Sequence, residues 1–146
     1  MSRTRLPKQQ HDSAELLVEK ILALCEGQAN DLKAFRISLL LAKLTGLLRT
    51  HFAQEDEFLY PYMERSSDVD ASERARSFRE EMGGLRAVYM AYVERWKDSR
   101  RIANEFEAFK PESKAVFTAL GDRIHRENYD LYPLANRVAE DAIKIA

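Results

Sequence analysis

The chain has 146 residues, 45% of them hydrophobic, with only five glycines and four prolines among abundant Leu, Ala, Glu, Lys and Arg. That size and composition suit one helical domain over residues 1–146 and argue against a sandwich or barrel. With 23 basic and 24 acidic residues mixed along the sequence there is no field to steer nucleic acid, and no apolar run approaches the about 20 residues that span a bilayer. The polar start Met1-Ser-Arg-Thr-Arg has no signal-peptide character, so a cytoplasmic location is expected. Cys25 is the only cysteine, which excludes an intrachain disulfide, and it reads as core filling. Arg3, Arg5 and Lys8 read as a solvated tail.

Asp12 to Gly27 is the first predicted helix, with Ala14, Leu17 or Val18, Ile21 and Leu24 or Cys25 on one face and His11 at its N-terminal edge. Asp31, a plausible N-cap, opens a second helix reaching about Met63. Its seam is Ile37, Leu40 or Leu41, Leu44, Leu47 or Leu48, His51, Glu55 and Phe58. A third helix spans Ser72 to Lys97 with Ala75, Phe78, Met82, Leu85, Tyr89, Tyr92 and Trp96 spaced by three and four. Phe106 and Phe109 suggest that the stretch Asp98 to Phe109 packs down. Lys110-Pro111 marks the start of a fourth helix whose inner face carries Val116, Leu120, Arg123, Glu127 and Leu131. Pro61 and Pro133 are each expected to end or kink a helix, and a short final segment with Val138, Ala142 and Ile143 covers the bundle end. Together these segments predict an all-α, antiparallel four-helix bundle with a short C-terminal helix.

One heptapeptide occurs twice, 72 residues apart: Glu55-Asp-Glu-Phe-Leu-Tyr-Pro61 and Glu127-Asn-Tyr-Asp-Leu-Tyr-Pro133. The halves of the chain look related. His51 stands four residues before the first glutamate, where one ion can be held from a single helix, and Arg123 occupies the same place in the second copy. A carboxylate or imidazole on an apolar stripe is costly unless paired or metal-bound. Taken alone the i, i+4 spacing is weak evidence, since such pairs are usually ordinary hydrogen-bonded or exposed ones; its position on the seam and its repetition strengthen it. No Gly-rich phosphate loop, cysteine pair or nucleophilic triad can be read from the chain, and enzyme activity is not expected. The tyrosines Tyr60, Tyr62, Tyr89, Tyr92, Tyr129 and Tyr132 read as core packing with hydroxyls at the rim.

His11-Asp12, His51-Phe-Ala-Gln-Glu55 with Leu59-Tyr60-Pro61, and Glu127 with Leu131-Tyr132-Pro133 resemble the pattern of the hemerythrin-like, or HHE cation-binding, family. The resemblance covers nearly the whole chain. It implies an up-down-up-down four-helix bundle that binds two irons bridged by carboxylates and, through them, dioxygen, nitric oxide or a redox signal. The family's first histidine matches His11, its second-helix pair His51 and Glu55, and its last carboxylate Glu127. Its third-helix histidine falls on Met82, in Glu80-Glu-Met-Gly-Gly84, and its fourth-helix histidine on Arg123. His125 lies about 200° around the helix from that seam position and reads as exposed or at the rim.

The resemblance therefore leaves His11, His51, Glu55 and Glu127 as a ligand set for one Fe(II), Mn(II) or Zn(II). Arg123 would stand between Glu55 and Glu127 with the positive charge of the absent second ion. Two functions follow. One is a single non-haem metal, iron foremost, that binds a diatomic ligand or senses redox state. The other is a metal-free bundle whose buried Arg-Glu-His network serves protein interaction, with a partner protein or a second copy. A di-iron oxidase is disfavoured because the second ion lacks both imidazoles.

Overall fold

The first helix begins well before the expected Asp12. In this computed structural model, which describes residues 4–145 and side chains from 4 to 140, α1 spans Arg5–Leu24 and His11 sits two turns inside it. Pro7 is tolerated because its missing N–H belongs to the first turn, where no intrahelical acceptor exists. Thr4, fully buried, is tied across the bundle by Asn136 Nδ2, which donates to its Oγ1 at 3.2 Å. The helix stops before Gly27, whose φ of 78° ordinary side chains avoid. Arg3 of the basic tail and the side chains of Ala142 and Ile143 lie outside the described residues.

The second rod is α2 (Asp31–Gln54), a π-helical turn (Glu55–Leu59) and α3 (Tyr60–Glu64). Its N-cap is Asn30, not Asp31: Asn30 Oδ1 accepts the Lys33 N–H at 2.7 Å, and Asp31 supplies negative charge to the first turn. Asp68 caps α4 (Val69–Trp96), a short α5 (Ser99–Asn104) follows, and the last rod is α6 (Phe106–Arg126), a second π turn (Glu127–Leu131) and α7 (Tyr132–Ile145). The fold is an all-α bundle, with no strand among the described residues.

Both Leu-Tyr-Pro prolines pass without ending a rod. The Tyr60 N–H reaches back five residues to Glu55 O, and the Tyr132 N–H to Glu127 O. This widening displaces the carbonyls that a proline ring would strike in a regular helix. It also inserts one residue into the register, turning Phe58 outward to 67% exposure and bringing Leu59 and Tyr60 inward. A uniform 3.6-residue period placed Phe58 inside. Pro111 likewise lies within α6 instead of opening it, because burial of Phe106 and Phe109 extends the helix by a turn in front of it.

The interior is divided. A large apolar cluster around Ile21, Leu44, Tyr89, Tyr92, Trp96 and Phe109 fills one end, and a smaller one around Leu59, Tyr60, Met63, Phe78, Leu131 and Val138 fills the other. Tyr89 and Tyr92 turn their hydroxyls inward, not to the rim, onto Thr45 Oγ1 at 2.9 Å and Ser113 Oγ at 2.6 Å. Cys25 is buried in the larger cluster, and burial pushes its thiol pKa up. Between the clusters three of the four rods contribute polar groups at one level: His11, then His51 and Glu55, then Glu127; α4 contributes none.

Candidate metal centre

The two π turns begin at the two glutamates, so each carboxylate enters the bundle where its rod is widest. Glu55 is 0% exposed, Glu127 1%, His11 1% and His51 2%. His11 Nε2 lies 3.0 Å from both His51 Nε2 and Glu127 Oε1. His51 Nε2 lies 3.3 Å from Glu55 Oε1 and 3.5 Å from Glu127 Oε1. Three rods thus bring His11, His51 and Glu127 to one point, although α1 and the fourth rod are more than a hundred residues apart in sequence; Glu55 adjoins this group through His51.

The outer nitrogens decide what the inner ones offer. His51 Nδ1 is 2.8 Å from Gln10 Oε1, and Gln10 in turn donates from Nε2 to Gln54 Oε1 at 3.0 Å. His11 Nδ1 is 2.9 Å from Asn128 Oδ1. Each imidazole therefore sets its outer nitrogen against an amide oxygen and turns its Nε2 toward the carboxylates, where that atom can carry a shared proton or, once the proton is given up, offer a lone pair. With both Nε2 protons gone, two lone pairs 3.0 Å apart beside two carboxylates would repel one another, so the site needs either a shared proton or another electrophile between them. Glu55 Oε1 and Glu127 Oε2 are moreover buried without a hydrogen-bond partner.

A divalent cation fits this donor set. Bonds of about 2.1 Å place neighbouring ligand atoms about 3.0 Å apart at right angles and about 3.4 Å apart in a tetrahedron, and the inner atoms of His11, His51 and Glu127 are separated by 3.0 to 3.5 Å. His11, His51 and Glu127 can all offer ligand atoms within 4.8 Å of one another. Mixed imidazole and carboxylate donors suit iron, manganese or zinc. Metal-binding histidines are usually held in orientation by an acceptor on the outer nitrogen, and side-chain amide oxygens fill that place here.

In the absence of an ion the same groups share protons. Burial opposes charge on His51, yet hydrogen bonds and charge from Glu127 and Glu55 outweigh it and push its pKa up to about 9. Burial and then the charge of Glu127 push Glu55 up to about 8. Glu127, against its own burial, is held well below the usual carboxylate range by the hydrogen bonds of His11 and His51. The Tyr132 hydroxyl donates to Glu55 Oε2 at 3.0 Å and lies 3.2 Å from His11 Nε2. Burial and the two carboxylates raise its pKa far above the ordinary phenol value, so it keeps its proton.

Arg123 does not stand between Glu55 and Glu127. Its Nη1 donates to Glu81 Oε2 at 2.9 Å, its Nη2 to the Phe78 carbonyl, and its guanidinium lies over the Phe78 ring at 4.1 Å. The reason is solvation: Glu81 is about half-exposed and ion-paired also to Arg126, so the guanidinium reaches a carboxylate at the bundle surface while its stem stays buried. Met82, at the other substituted position, packs in the larger apolar cluster. His125 is exposed and lies against Tyr129, the two rings tilted by 41°.

Sequence reasoning missed Tyr132, Gln10 and Asn128. Gln10 and Asn128 act across helices, where no spacing rule reaches, but Tyr132 had a signal in its place within the repeated Leu-Tyr-Pro. Its counterpart Tyr60 is fully buried, with its hydroxyl near the same carboxylates.

No helix among the described residues is long and apolar enough to cross a membrane. Neither a curated protein nor a solved structure matches the chain. The family model of the hemerythrin HHE cation-binding domain matches residues 4–135, a span that includes His11, His51, Glu55 and Glu127. The chain therefore belongs to the hemerythrin HHE cation-binding domain family.

Proposed function

We propose that the protein binds one divalent transition-metal ion, iron foremost, through His11, His51, Glu55 and Glu127, and that this centre serves diatomic-ligand or redox sensing. The supporting observation is the convergence of His11 Nε2, His51 Nε2 and Glu127 Oε1, with an amide oxygen behind each ring. Bound Fe(II) would supply a coordination position for dioxygen or nitric oxide, or a one-electron change of state. The chain's own part is to orient the imidazoles through Gln10 and Asn128, to keep water out with two apolar clusters, and to hold a proton on Tyr132 beside Glu55.

One ion is favoured over two because the positions of the second pair of imidazoles carry Met82 and Arg123. The metal-free reading loses its main support once Arg123 pairs with Glu81, since the guanidinium then neutralises neither Glu55 nor Glu127. Anaerobic reconstitution with Fe(II) followed by elemental mass spectrometry tests the proposal, with about one iron per chain expected. No retained iron, or a stoichiometry unchanged by His51→Ala, refutes it; two irons refute the ligand assignment.

A further inference from the structure

An open recess of about 730 Å³ lies between α1 and α2, in the half of the bundle away from the metal layer. Leu24, Leu39 and Leu40 contribute its apolar surface, Lys20, Arg36 and Lys43 line it as exposed cations, and no acidic side chain lines it. None of these three cations has an ion pair among the described residues, whereas Arg79, Arg86, Arg95 and Arg126 each hold a carboxylate. Leu39 is 51% exposed, and Phe35 and Leu32, 52% and 60% exposed, continue the apolar line toward the start of α2. Apolar side chains left in water beside unneutralised cations call for an occupant that is apolar along its middle and negative along its edges.

The spread of charge narrows the choice. Arg36 and Lys43 are seven residues apart, about 10 Å along the helix axis, so the positive charge follows the groove and does not converge on one headgroup. A recess between two helices receives an inserted ridge better than a flat bilayer surface. A second copy docked by the same face would set cation against cation. We infer that this groove docks an acidic amphipathic helix of a partner protein, its apolar ridge lying on Leu24, Leu39 and Leu40 and its carboxylates facing Lys20, Arg36 and Lys43. The surface is independent of the metal centre.

The probe is a fluorescein-labelled amphipathic peptide with a leucine ridge flanked by glutamates, compared by anisotropy with the same peptide carrying lysines. The parent protein should bind the acidic peptide, more weakly as salt is raised, and not the basic one. The triple variant Lys20→Glu, Arg36→Glu, Lys43→Glu should lose at least ~tenfold in affinity for the acidic peptide and acquire affinity for the basic one. Leu39→Asp should abolish both interactions. Because the substituted side chains are exposed, unchanged helicity by circular dichroism will separate lost docking from lost folding. Failure to bind the acidic peptide, equal binding of both peptides, or a triple variant that keeps the parent's preference overturns the proposal. Binding to phosphatidylserine vesicles in place of the peptide overturns it in favour of a lipid surface. Dimerisation that Leu39→Asp removes overturns it in favour of self-association.

Discussion

Replacing Gln10 with leucine removes the oxygen that receives the His51 Nδ1 proton at 2.8 Å, without touching any proposed ligand. Gln10 is 8% exposed and His51 2%, so water has little room to substitute. The ring then has two options. It can keep the proton on Nδ1, unpaired and buried, at a cost of about 1–3 kcal/mol, or move it to Nε2 and give up the lone pair the ion needs. The metal-free protein escapes by shedding the Nδ1 proton and keeping the one that Nε2 shares with Glu127 and Glu55; the metal-bound form cannot. Affinity should therefore fall about 10–100-fold, or roughly 1.4–2.7 kcal/mol. Competition against a chromophoric chelator, with Zn(II) as a redox-silent probe, measures it. Gln10→Glu, which offers a stronger acceptor at the same place, should bind at least as tightly as the parent, and Gln54→Leu, one step further out, should lose less than Gln10→Leu. If Gln10→Leu and the parent agree within twofold while His51→Ala abolishes binding, the amide does not set the tautomer and this reasoning fails.

Arg123→Ala should destabilise the metal-free protein by about 2 kcal/mol in urea denaturation, less than the 3–5 kcal/mol of a broken buried pair, because the partner left behind is half in water. A loss above 4 kcal/mol would point to a deeper ionic role than the pairing with Glu81. Met82→His combined with Arg123→His should raise iron content toward two per chain, and an unchanged content would remove the proposed alignment of these positions with the family's second pair of histidines. Without metal, His51 and Glu55 are raised from 6.5 and 4.5 to about 9 and about 8, so each favours the folded state below its unfolded value and loses that contribution as pH rises through the folded one. Metal uptake must displace the same protons and strengthens with pH. The rise in melting temperature on adding Zn(II) should therefore grow between about pH 6.5 and 9; a rise that shrinks over that interval contradicts the assignment.

The level of the polar layer was legible because helical spacing alone puts His51, Glu55, Arg123 and Glu127 on inner faces, and all four are buried. Direction along those faces was not. Arg123 has a long stem, and only the depth of neighbouring carboxylates decides which it reaches. His11 was readable as a residue type, but its depth depended on a helix start set by tertiary burial of Thr4 and Pro7, which local propensity placed outside the helix. Phe58 failed for a different cause: a periodic rule assumes a constant turn, and the repeated heptapeptide is where the turn changes.

That change of turn ties the ion to a part of the molecule it does not touch. Past each wide turn the side chains are rotated by about 100° relative to an uninterrupted helix, and only in that phase do Leu59, Tyr60, Leu131 and Tyr132 face inward. Straightening either turn would withdraw a carboxylate from the centre and swing the end cluster toward solvent in one movement. An ion that holds Glu55 and Glu127 in place therefore also clamps the rotational phase of α3 and α7. Its arrival should be felt as slower amide exchange along those two helices, well beyond the reach of any coordinating atom.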